Sequence, residues 1–114
     1  MSDRASLLRE LLHAERPIDA LARELSEFEW DSEEELEVLM PGHVIALLGD
    51  YLSGCRAPSE IRRWAETIEG RDDIGFAAES EGVLKNAIFE LANPELAHAL
   101  SPLLARKILA DLNR

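Results

Sequence analysis

The segment WAETIEGRDDIGF, residues 64–76, begins as the apolar face of a helix, crosses five charged residues and returns to Ile74 and Phe76. Its helical part extends a face that Ile61 opens: Ile61, Trp64, Ala65 and Ile68 fall at i, i+3, i+4 and i+7, the spacing of residues stacked on one side of an α-helix. Gly70 tolerates the left-handed conformation that ends helices, so the spacing predicts a helix from Pro58 to Gly70. Beyond it, Arg71-Asp72-Asp73 reads as an exposed acidic corner, with Ile74 and Phe76 as core anchors on its far side. Such a corner is either a plain structural turn or a recognition surface. Pinned at both ends, it would lose less ordering entropy on binding than a floppy loop.

Working outward, the same period recurs along the chain. Leu7, Leu8, Leu11 and Leu12 mark a first helix near residues 3–14, and Pro17 suits the first turn of a second with Ile18, Leu21, Ala22 and Leu25 on its face. Pro41 starts a third that carries Val44, Leu47, Leu48, Tyr51 and Leu52 and stops at Gly54. Ser80 caps a fifth, with Val83, Leu84, Ala87, Ile88 and Leu91, which Asn93-Pro94 ends because proline disfavours helix at the residue before it. Ser101-Pro102 opens a sixth with Ala105, Ile108, Leu109 and Leu112. Residues 27–40 give no clear period: Trp30, Leu36 and Val38 fit loop or a short extended piece, the glutamate run fits a helical turn equally well, and the segment is expected to be mostly loop. The expectation is an all-α, single-domain irregular bundle of about five to six short helices, without any period-two run of β-branched residues.

At 114 residues the chain suffices for one core. Its apolar runs, such as Val44-Ile45-Ala46-Leu47-Leu48, are far shorter than the roughly 18 residues of a membrane span. The opening MSDRASLLRELLHAERP is too charged for the core of a signal peptide. Cys55 is the single cysteine, which leaves no intrachain disulfide and suits a reducing, cytoplasmic setting.

The net charge of −11 is concentrated in two places. Residues 24–37 hold eight acids and no Lys or Arg, and residues 66–81 hold six acids against Arg71. Nucleic-acid binding through a basic surface is disfavoured by this layout, and a basic protein partner fits it more easily. The competing reading is that acidic surfaces keep small proteins soluble. The residues proposed to meet a partner are Glu29, Trp30, Asp31, Glu33, Glu34, Glu35, Asp72 and Asp73. Trp30 is a core anchor or an aromatic hot spot ringed by carboxylates.

Catalytic and metal chemistry has little to build on. His13, His43 and His98 share no ligand spacing; Glu95-Leu-Ala-His98 has the Glu-x-x-His spacing of di-metal bundles, but those require the motif twice. The acids near Asp72 lack the alternation and central glycine of a calcium loop. The glycines never cluster into a phosphate cradle. Cys55, beside Arg56 and just ahead of a helix, is the candidate for a nucleophile or redox sensor, with no base partner identifiable. A helix-turn-helix across residues 41–69 would place Glu60, Glu66 and Glu69 beside Arg62 and Arg63, where phosphates repel them. No metal or other cofactor is expected.

Tyr51-Leu-Ser-Gly54, followed by Ala57-Pro-Ser-Glu-Ile-Arg-Arg-Trp64, resembles a hairpin of small acidic helical bacterial proteins of uncharacterised function, similar to colicin D-type immunity proteins. The run IFELANPE, residues 88–95, resembles the same uncharacterised group. The resemblance implies an acidic helical domain that binds a basic tRNase toxin and covers its active site. It carries over no individual toxin-binding residue, and the N-terminal helix pair and the Trp30 segment have no counterpart in it. The leading expectation is therefore a non-catalytic module, immunity-like or regulatory, that engages a basic partner. The alternatives are a small helical enzyme or redox sensor using Cys55, and a homo-oligomeric structural subunit.

Overall fold

The computed structural model describes residues 3–28, 34–96 and 99–113. Helix α1 (Arg4–His13) is capped by Asp3, whose carboxylate accepts the Ser6 N–H at 2.7 Å and is held below its ordinary value by that bond. It ends at Ala14, a non-glycine residue at φ 51°, where Glu15 N–H turns back to Glu10 O at 3.1 Å. Helix α2 (Ile18–Leu25) buries Ile18, Leu21, Ala22 and Leu25. Arg16 bridges the pair, reaching Glu10 at 2.9 Å and Glu24 at 2.8 Å.

Helices α3 (Pro41–Leu52) and α4 (Pro58–Ile68) each take a proline in the first turn, where its missing N–H leaves no helical bond unmade. After α3, Gly54 adopts φ 86°, and after α4, Gly70 adopts φ 84°, the left-handed stops the sequence calls for. Helix α5 (Glu81–Ala92) follows a 3-10 turn at Ala78–Ser80. Helix α6 (Pro102–Leu112) is capped by Ser101, whose Oγ accepts the Leu104 N–H at 3.2 Å. The buried faces converge on one apolar core running from Leu7 to Ile108. Val83, expected on the core face of α5, is instead 37% exposed, because Leu84, Ala87, Ile88 and Leu91 already fill the buried stripe.

Trp64 lies at the centre of that core with no exposed surface. Its indole N–H donates to Leu11 O at 2.7 Å, which ties the middle of α4 to the last turn of α1. Without this acceptor, a large buried ring would carry an unsatisfied polar atom.

The bundle expected from the sequence forms, with one addition. Glu37–Leu39 (β1) and Ile74–Phe76 (β2) make a two-stranded parallel sheet in the register Glu37 to Ile74, Val38 to Gly75 and Leu39 to Phe76. Parallel strands need a long crossover, and the α3–α4 pair supplies it. Residues 37–39 are thus a strand within a segment expected to be mostly loop, and 74–76 is a paired strand and more than a return to the core. Leu39 and Ile74 are buried, so each strand plants one side chain in the core.

Among the described residues, no helix is long and apolar enough to cross a membrane. Replacing Trp64 with Phe removes the bond to Leu11 O and part of the ring volume. Denaturant unfolding should show a loss of about 2 to 3 kcal/mol; a loss within about 0.5 kcal/mol would mean that the indole is not the link between α1 and α4.

Candidate functional site

The two acidic stretches, far apart in sequence, meet at the sheet. Leu36 N–H donates to Asp73 O at 2.8 Å and Glu37 N–H to the same oxygen at 3.3 Å, so the chain just before β1 is bonded to the residue just before β2. Glu34 and Glu35 on one side and Asp72 on the other are exposed, forming an acidic rim at the start of the sheet. Glu37 is half-buried, 4.0 Å from Arg9 of α1. Glu35 folds its carboxylate over Gly75, where an added Cβ would collide with it. Glycine at 75 therefore lets the rim lie close against the backbone of β2.

Asp73 departs from the exposed-corner reading. Its side chain has no exposed surface, and its carboxylate is enclosed by two guanidinium groups. Arg71 Nε donates to Oδ1 at 2.9 Å and its NH2 nitrogen to Oδ2 at 2.9 Å, a two-pronged pair in which both partners are buried. Arg4, from the first turn of α1, donates to Oδ2 at 2.8 Å. Burial alone would push the Asp73 carboxyl up; the hydrogen bonds from Arg71 and then Arg4, together with their charges, outweigh it and hold the group below the usual carboxylate range. A carboxylate engaged in this way is not presented to a partner, so Asp73 is corrected from a binding residue to the brace that sets the rim in place.

Arg71 and Arg4 were not singled out in the sequence. One signal for Arg71 was present: a cation two residues from Asp73 across a short turn is within reach of a local ion pair. Arg4 has no such signal, because its partner lies in another element. The expected partner residues Glu29, Trp30, Asp31 and Glu33, and His98 of the Glu-x-x-His motif, lie outside the described residues. Glu95 of that motif is ion-paired with Arg62 at 3.2 Å. Among the described residues, no group of three or more His, Cys, Asp or Glu is arranged to hold a metal ion.

The other chemistry-bearing side chains are dispersed. Cys55 is exposed, with Ser53 Oγ 3.4 Å from its Sγ. Its neighbour Arg56 turns away to Ala14 O at 2.9 Å, Asp50 at 3.3 Å and Glu60 at 3.5 Å. In α4, Arg62 pairs with Glu66 at 3.4 Å and Arg63 with Asp19 at 3.4 Å, so both cations of that helix face carboxylates. His13 and His43 stand edge to face at 4.8 Å beside a cleft between α1 and α3. No protein-family model, curated protein or solved structure matches the chain.

Asp73→Asn keeps the shape and removes the charge. Breaking a buried pair in this way costs about 3 to 5 kcal/mol, which should appear as a lower unfolding free energy near neutral pH. The pH dependence has a definite sign. A carboxyl whose folded value lies below its unfolded 3.8 contributes fully above 3.8, and the contribution is lost as pH falls through the lower folded value. The Asn variant should therefore lose less stability than the parent on acidification below 3.8. Parallel acid titrations of the two proteins would refute the brace.

Proposed function

We propose that this protein is a non-catalytic binding module, immunity-like or regulatory, whose acidic rim engages a basic protein partner. The observation that carries the reading is the parallel β1–β2 pairing, which sets Glu34, Glu35 and Asp72, from two separate acidic stretches, on one exposed rim. Like charges held together raise the local negative potential. A cationic surface lowers that repulsion on docking, which steers association and makes it depend on salt.

Rigidity supports the same reading. The backbone of the rim is fixed by the bonds to Asp73 O, and Asp73 is itself fixed by Arg71 and Arg4, so a partner meets carboxylates on ordered chain. The contribution of the rim carboxylates is chiefly electrostatic. Rim charges of this kind act more on the rate of association than on the rate of release.

The test is affinity capture from the source lysate at low and at high salt, with mass spectrometry of the eluate. The expected result is a basic protein retained at low salt and released at high salt, and lost when the bait carries Glu35→Lys with Asp72→Lys. Such a double reversal should weaken binding by about tenfold or more, since like charges then face each other across the contact. Retention that is indifferent to salt, or an empty eluate with the wild-type bait, would leave solubility as the role of the acidic surface.

A further inference from the structure

The cleft between the end of α1 and the start of α3 has a volume of about 280 Å³; His13, His43, Met40 and Asp50 line it, over a floor that includes Leu12 and Leu47. Met40 is the single residue between β1 and α3, and its backbone N–H donates to His43 Nδ1 at 2.9 Å. An N–H can donate only to a nitrogen that presents its lone pair, so the proton of the neutral His43 ring sits on Nε2. His43 is the third residue of α3, and its ring reaches back to close the first turn as a Glu or Gln does in a capping box. The fixed tautomer also argues against a metal role, because Nε2 carries a proton where a ligand would offer a lone pair.

A second proton on this ring has a specific structural effect. It converts Nδ1 into a donor aimed at another donor, so the bond to Met40 is lost. It also places positive charge at the N-terminal end of a helix, where the macrodipole is already positive. The charged groups around the ring come from every neighbouring element. His13 of α1 faces it at 4.8 Å and Glu37 of β1 attracts the charged form, though Arg9 of α1 stands 4.0 Å from that glutamate. Asp50 of α3 lines the same cleft and is held by Arg56 at 3.3 Å. Burial first, then the His13 charge, hold the His43 imidazole below its ordinary value, against the upward pull of Glu37.

We propose that the His13–His43 pair is a proton-operated latch: neutral His43 closes the corner between β1 and α3, and its protonation in mild acid opens that corner. The latch stands whether or not the acidic rim has a partner. His43 is less basic folded than unfolded, so its stabilisation is complete above the unfolded value of 6.5 and is lost as pH falls from 6.5 through the lower folded value. Asp73 is held below its ordinary value and so does not contribute in this window, where the His43 ring changes charge.

Thermal unfolding of the full chain between about pH 7.5 and 5.5, for the parent, His43→Gln and His13→Gln, tests this directly. The parent should lose several degrees of Tm across the window and show faster hydrogen exchange at the Met40 amide in acid. His43→Gln, whose side-chain oxygen accepts the same N–H without titrating, should stay nearly flat; His13→Gln, freed of the neighbouring charge, should lie between the two. A His43→Gln profile that follows the parent would overturn the latch. So would 15N imidazole spectra of the parent that put the neutral proton on Nδ1. These spectra and the Met40 exchange rate decide the matter in the parent alone if the Gln variant does not fold.

Discussion

The Asp73 carboxylate, closed in by Arg71 and Arg4, is the interaction on which the arrangement of the acidic face depends. One residue uses both its side chain and its backbone: the carboxylate gathers the corner after α4 and the first turn of α1, while the carbonyl oxygen receives the two amides that lead into β1. A two-stranded ladder three residues long is not stable by itself in water. Here it is held at its entrance by ionic bonds and on its core side by Leu39 and Ile74, so the ladder follows from the packing and does not create it. Buried ion pairs are weak sources of net stability, since the desolvation they require offsets much of their attraction. What this one contributes is position: an oppositely charged pair fits one register, where an apolar contact would tolerate several.

The chain is thereby acidic in two different senses. Asp72 and Asp73 are adjacent and chemically alike, yet one faces water and the other has no exposed surface. The same holds for the cations. Arg71 is buried against Asp73, while Arg62 and Arg63 lie along α4 against surface carboxylates in pairs worth little individually. Net charge therefore says more about long-range steering than about which carboxylates a partner would touch.

The helices were legible because each repeats its apolar period through two or more turns, and α2, α3, α4 and α6 are bounded by a proline, serine or glycine whose role is local; α1 ends instead at Asp3 and Ala14, and Ser80 precedes α5 without the side-chain cap bond expected of it. The strands were not. Three residues contain too little of a period-two pattern to register, and their pairing joins positions separated by two whole helices, information that no local window carries. The rim was half legible: the charge runs pointed to both acidic stretches, but their proximity came from the parallel pairing. Asp73 was misplaced because residue type does not distinguish a solvated aspartate from a braced one, and Arg4, the cation that completes the brace, lies in the first turn of the first helix. The capping role of His43 is hidden in the sequence for a related reason, since histidine is not among the side chains usually expected at the third position of a helix.

The crossover between the strands has a consequence for the order of assembly. Contacts within α1–α2 or α3–α4 join near neighbours, whereas pairing β1 with β2 closes a loop that contains both α3 and α4, and the entropy of that closure must be met before its bonds return anything. Arg4 lengthens the path further by linking the beginning of the chain to Asp73. A nascent or partly unfolded chain can thus contain most of its helices while its glutamates remain scattered. The joined acidic face is a property of the finished topology, and a ligand that requires it would discriminate between complete molecules and incomplete ones.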